Sequence, residues 1–100
     1  MTDLSSILAF AELVVKHVID AKGRDAVFRP SNFMSVNAEL ISLIQELSAR
    51  GYLSKTRNSK GVRIRIHPDS PLYRYVVQAC AGSTSVNCAK QVAEYLYRFL

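Results

Sequence analysis

Residues 43–67 read LIQELSARGYLSKTRNSKGVRIRIH, and the period of the pattern changes inside that run. On its N-terminal side, Val36, Leu40, Leu43, Ile44 and Leu47 recur at three- and four-residue steps, the spacing of one helix face. Ser35 is placed to cap that helix, with Glu39 able to complete a capping interaction one residue late. Arg50 in the last turn complements the helix dipole, and Gly51 stands where a left-handed C′ residue belongs. From Tyr52 the period is two. Tyr52 to Arg57 reads as a strand and Asn58 to Gly61 as a turn. Val62 to His67 is a second strand, with Val62, Ile64 and Ile66 on one side and Arg63, Arg65 and His67 on the other. Pro68 ends it. The expectation is a β-hairpin with one greasy and one basic face.

Before this stretch, Leu4, Ile7, Leu8, Ala11, Val14, Val15, Val18 and Ile19 form a helical stripe, so a helix is predicted over 4–21, stopped by Gly23. Ala26, Val27 and Phe28 suit a very short strand, and Pro30 to Met34 a short helix opened by its proline. After Pro68, one helix is predicted from Ser70 or Pro71 to Ala81 and another from about Thr84 to Leu100. The last carries Val86, Ala89, Val92, Ala93, Leu96, Phe99 and Leu100 on its apolar side. The predicted class is α+β, mostly helical, in a single domain over 1–100.

The chain has 100 residues, of which 49% are hydrophobic and 21% charged, which is the composition of a globular domain. One modest core fits in that length, with little room for an enclosed active site as well. No carboxylate pair, nucleophile–base spacing, zinc-ligand spacing or glycine-rich phosphate loop is present, so a binding module without cofactor or metal is expected rather than an enzyme. No run approaches the ~18 apolar residues of a membrane span. The first cation is Lys16, so no secretory signal is expected. A cytoplasmic, nucleoid-associated location follows as an expectation. Two cysteines, Cys80 and Cys88, flank the turn between the last two helices; a disulfide there is conceivable, but reduced thiols are the expected state. His17 is read as a helix-surface residue.

The net charge of +5 comes from 13 Lys and Arg against 8 Asp and Glu. It is not spread evenly. Residues 50–67 hold Arg50, Lys55, Arg57, Lys60, Arg63 and Arg65 and no acid, while the rest of the chain nets −1. A hairpin charged only to keep its edges from pairing would ordinarily mix signs. An acid-free cluster suits phosphate contacts better.

The run 43–53, followed by Lys55-Thr56-Arg57 and Val62-Arg63-Ile64-Arg65-Ile66, resembles the winged helix-turn-helix superfamily, in which a recognition helix ends in a glycine and a hairpin wing follows. Small archaeal and archaeal-virus regulators are similar in size and layout. The resemblance covers about 4–67, leaving 68–100 as a helical extension. Where the family carries a full helix before the recognition helix, Arg29-Pro30-Ser31-Asn32-Phe33 leaves room for about one turn.

What the resemblance implies is a double-stranded DNA-binding protein, a transcription regulator. Its recognition helix would present Asn37, Ser42 and Gln45 to the major groove. Arg50, Lys55, Arg57, Lys60, Arg63 and Arg65 would meet phosphates or the minor groove, with Asn58 at the wing tip. Arg29, Ser31 and Asn32 would add phosphate contacts, and His67 ends the basic strand face. Glu39 and Glu46 repel phosphate, so modest sequence specificity is expected. Neutralising ~5 phosphates implies a log–log salt slope of about −4 to −5. The first and last helices are candidates for a homodimer interface. The alternatives are a winged helix used for protein–protein assembly and an RNA-binding module.

Overall fold

The computed structural model describes residues 4–29, 38–58, 61–81 and 85–99. In chain order they form α1 (Leu4–Ala21), β1 (Ala26–Phe28), α2 (Ala38–Ala49), β2 (Ser54–Asn58), β3 (Gly61–Ile66), α3 (Pro71–Cys80) and α4 (Ser85–Tyr97). The result is a mostly helical α+β unit with one three-stranded antiparallel sheet of order β1-β3-β2. The short helix expected at 30–34 and the Ser35 cap lie outside the described residues, as do Ser31, Asn32, Asn37 and Lys60.

α1 spans the predicted range. Its buried stripe is Ile7, Phe10, Ala11, Val14, Val15 and Val18, while Ile19 is 47% exposed. Phe10, three residues after Ile7 and four before Val14, belongs to the stripe; Ile19 lies past its edge. α1 packs along α4, whose Cys88, Ala89, Val92, Ala93 and Leu96 are buried. Those two stripes close the core of one chain, and a dimer built on α1 and α4 would have to use their other faces.

α1 also covers the inner face of the sheet. Alternation along β1 turns Ala26 and Phe28 inward and leaves Val27 outward. Phe28 stacks on His17 with ring centroids 4.9 Å apart, and lies 6.2 Å from Phe10. His17 is therefore half-buried packing rather than a surface residue; its Nδ1–H donates to the Leu13 carbonyl one turn back, at 2.9 Å.

α2 buries the predicted Leu40, Leu43, Ile44 and Leu47. It ends in a Schellman arrangement: Tyr52 N–H donates to Leu47 O at 2.9 Å and Gly51 N–H to Ser48 O at 3.1 Å. Gly51 has φ 79°, the left-handed conformation that closure needs. The chain then turns directly into the hairpin.

α3 begins at a cap. The Ser70 hydroxyl accepts from Leu72 N–H at 3.2 Å and donates to the Tyr52 carbonyl, so one buried side chain starts α3 and ties it to the α2–β2 connection. Tyr73, 3% exposed, makes a second tie: its hydroxyl donates to Arg24 O at 2.9 Å and accepts from Gly23 N–H at 3.1 Å. Cys80, the last residue of α3, is disulfide-bonded to Cys88 in the first turn of α4, with Cα atoms 5.1 Å apart. The expectation of reduced thiols is thereby corrected. The turn between the helices brings the two Cα atoms within bridging range.

Candidate nucleic-acid interface

The hairpin register is Ser54 opposite Arg65, Lys55 opposite Ile64, Thr56 opposite Arg63, Arg57 opposite Val62 and Asn58 opposite Gly61. Directly opposed residues in an antiparallel pair share a face. Arg63 and Arg65 therefore stand with Thr56 and Ser54 on the outer face, away from the helices. Lys55 and Arg57 stand on the inner face, beside Ile64 and Val62. This corrects the reading of one greasy and one basic face: the basic residues divide between the two sides. Lys55 and Arg57 stay exposed on the inner side because β2 is an edge strand that overhangs the core.

β1 adds to the outer face. Its register places Val27 opposite Arg65 and Phe28 opposite Ile64. The outer face thus carries Arg63 and Arg65, with Val27, Thr56 and Ser54 beside them, all exposed; Arg29, the residue after β1, is exposed as well. Its far end is framed by acids that the sequence reading missed. Asp25 lies 3.9 Å from both Arg65 Nε and His67 Nε2, and Asp69 Oδ2 is 3.6 Å from His67 Nδ1. At 3.9 Å the Asp25–Arg65 contact is an ion pair without a hydrogen bond, between exposed groups, and ties the arginine only weakly.

On α2, Ala38, Ser42, Gln45 and Ala49 are exposed, at steps of four, three and four. This solvent stripe is uncharged. Glu46, expected to repel phosphate, is ion-paired with Arg50, with Nε to Oε1 at 2.8 Å. The Arg50 guanidinium also sits 5.1 Å from the centroid of Phe99. Arg50 is thus held by its own helix and by the segment after α4, and it neutralises an acid rather than extending the basic surface. The structure places Ser42 and Gln45 on the exposed stripe of α2, Lys55 and Arg57 on the inner face of the hairpin, and Arg63 and Arg65 on its outer face, with Arg29 exposed after β1. It describes the backbone of Asn58 at the turn, facing Gly61.

A second cluster surrounds Phe99. Tyr75 and Tyr95 stack at 4.3 Å, Tyr95 and Phe99 meet edge-on at 5.6 Å, and Tyr52 and Phe99 at 5.4 Å. The Tyr95 phenol is pushed above its ordinary value, chiefly by burial, then by the charge and hydrogen bond of Tyr52 and by Tyr75; Arg98 opposes the shift. Tyr52, Tyr75, Tyr95 and Phe99 thus join α3, α4 and the start of the hairpin within one chain.

No family model matches the chain, and neither the curated proteins nor the solved structures give a match. No described helix is long and apolar enough to cross a membrane.

Proposed function

We propose that the protein binds double-stranded DNA in the manner of a winged helix and acts as a regulator. In this reading α2 is the recognition helix and β2–β3 the wing. The observation that carries the reading is the set of Lys55, Arg57, Arg63 and Arg65 on an antiparallel hairpin whose strands hold no acid, directly after a helix whose exposed stripe is uncharged. The element order supports it too: a short strand before the recognition helix pairs with the second wing strand, so that β3 is central. Ser42 and Gln45 have hydrogen-bonding chemistry for base edges, and the hairpin cations have the charge for backbone contacts.

Binding of single strands through stacked bases needs rings on the presented surface. The described outer face carries arginines, Val27, Ser54 and Thr56, and at its end the imidazole of His67 beside the carboxylates of Asp25 and Asp69; no Phe, Tyr or Trp is among these residues, which favours a duplex backbone over a splayed RNA strand.

The test is a salt titration of duplex affinity. Micromolar or tighter binding is expected, with a log–log slope of about −4 to −5. Replacing Arg57, Arg63 and Arg65 together by alanine should flatten the slope by about 2.7 and weaken binding at least about tenfold at 0.1 M salt. Unchanged binding in that variant overturns the proposal.

A further inference from the structure

We propose that His67 is a pH-sensitive switch at the end of the basic outer face, so that affinity for a duplex rises as the imidazole gains a proton. The inference rests on duplex binding as proposed above and adds its regulation. It starts from the place where acids meet the basic face. Arg63, Arg65 and His67 follow one another at two-residue steps on the outer side of β3 and its end, and all three are exposed. The β1–β3 pairing sets Ala26 opposite Ile66, and Asp25, the residue before that pair, stands between two of the three. Its Oδ2 lies 3.9 Å from Arg65 Nε and its Oδ1 3.9 Å from His67 Nε2. The turn into α3, closed by Ser70 N–H donating to His67 O at 2.9 Å, brings Asp69 to the other ring nitrogen, with Oδ2 3.6 Å from Nδ1.

The charged groups around the ring are thus Asp25 from the α1–β1 turn, Arg65 from β3 and Asp69 from the turn before α3. The two protonation states of the ring treat them differently. In the neutral ring, Nδ1 accepts from Asp69 N–H at 3.2 Å. Arg65 then stands alone against two carboxylates, so this end of the face is net negative and repels the phosphate that Arg65 would hold. A protonated ring carries hydrogen on both nitrogens and accepts nothing. It gives up Asp69 N–H, and its two N–H groups face the carboxylates of Asp69 and Asp25. Two cations now balance two anions, and Asp25 is drawn from Arg65 to the imidazolium. The arginine, tied by no more than a 3.9 Å contact between exposed groups, is left to the duplex.

Histidine is the side chain whose charge ordinarily changes between about pH 5 and 8. The chain has two. His17 belongs to α1, on the side of the sheet away from Arg65, where it stacks on Phe28 and donates to Leu13 O. The His67 side chain is 64% exposed, beside an Arg65 side chain that is 57% exposed, so both stand where a phosphate would lie. The sign follows from the two states. Binding is stronger with the ring charged, so it takes up a proton, and affinity falls as pH rises. The gain is bounded by about one phosphate contact, a salt-slope increment of about 0.9, or roughly eightfold at 0.1 M salt relative to 1 M.

The experiment measures affinity of the full chain for a short duplex carrying a pH-insensitive dye, by fluorescence anisotropy at fixed salt, from about pH 8 down to about pH 5.5. The wild type is expected to tighten about three- to eightfold over that range at 0.1 M salt. His67→Gln should match the wild type at the alkaline end and stay flat within about 1.5-fold, since it keeps a polar side chain and gains no charge. Asp25→Asn/Asp69→Asn should bind at least about threefold tighter than wild type at the alkaline end, because the acids that oppose the phosphate are gone. Duplex binding that does not change with pH in the wild type overturns the inference and leaves the proposed function standing. So does a rise that persists in His67→Gln, or an Asp25→Asn/Asp69→Asn variant no tighter than wild type at the alkaline end. A wild type that binds no duplex at any of these pH values overturns the proposed function, and the switch falls with it.

Discussion

Removing one oxygen atom tests how the basic sheet face is held. Tyr73→Phe keeps the buried ring and deletes the hydroxyl that donates to Arg24 O and accepts from Gly23 N–H. These bonds, at 2.9 and 3.1 Å, pin the turn between α1 and β1 to α3. Each ordinary hydrogen bond contributes about 0.5–1.5 kcal/mol net, and the larger penalty arises when a partner stays buried and dry. Gly23 and Arg24 are exposed, so water can take up both vacated groups. The expected cost is therefore about 1.5 kcal/mol for the pair, not the ~4 that two stranded buried groups would imply. In a domain of this size that is a fall of roughly 6–12 °C in Tm. Urea and thermal melts followed by far-UV circular dichroism give the number, with the denaturant slope m unchanged. A Tm shift under about 2 °C would show that the hydroxyl ties nothing. A loss above about 3 kcal/mol would show that the turn cannot rehydrate and that the assignment of its exposure is wrong.

Two further outcomes are expected. Opening the Cys80–Cys88 bond frees a loop set by a sequence separation of 8, a loss of about 2.5 kcal/mol on the chain-entropy estimate. Reductant should lower the Tm of the wild type and leave Cys80→Ala/Cys88→Ala untouched; equal response of the two would refute the bond. The raised Tyr95 phenol means that the folded state favours its neutral form. Its contribution is intact below the ordinary phenol value of about 10 and is lost as pH rises through the folded value. Tyr95→Phe should therefore show a flatter fall in stability above pH 10 in urea melts, and parallel curves would remove Tyr95 as a source of alkaline sensitivity.

The helices were legible because each buries a single stripe. α1, α2 and α3 match their predicted spans closely where they are described, and α4 ends at Tyr97, before the predicted Leu100. A stripe states that a face is buried and is silent about its partner, which is why α1 and α4 read equally well as a dimer surface. β3 was legible from its strict alternation. β2 was legible as a strand, but its facing was not, since Ser54, Lys55, Thr56, Arg57 and Asn58 include no apolar residue to mark an inner face. Only the register, with Asn58 opposite Gly61, assigns Lys55 and Arg57 to one side and Arg63 and Arg65 to the other. Asp25 and His67 are 42 residues apart in the sequence and meet through the β1–β3 pairing. Arg50 drew attention as a cation near a helix end; its use by Glu46 and Phe99 depends on a residue almost fifty positions later.

The pairing of α1 with α4 has a consequence for synthesis. The first helix leaves the ribosome with Ile7, Phe10, Val14 and Val18 facing water, and the helix that covers them follows more than sixty residues later. The β2–β3 hairpin closes locally and can form as soon as it emerges, but the core cannot close before α4 is out. During that interval the nascent chain presents an apolar helix beside an arginine-rich hairpin. Premature stops within α4 should therefore give aggregated rather than partly active protein, because what they leave behind is a helix with no surface to cover it.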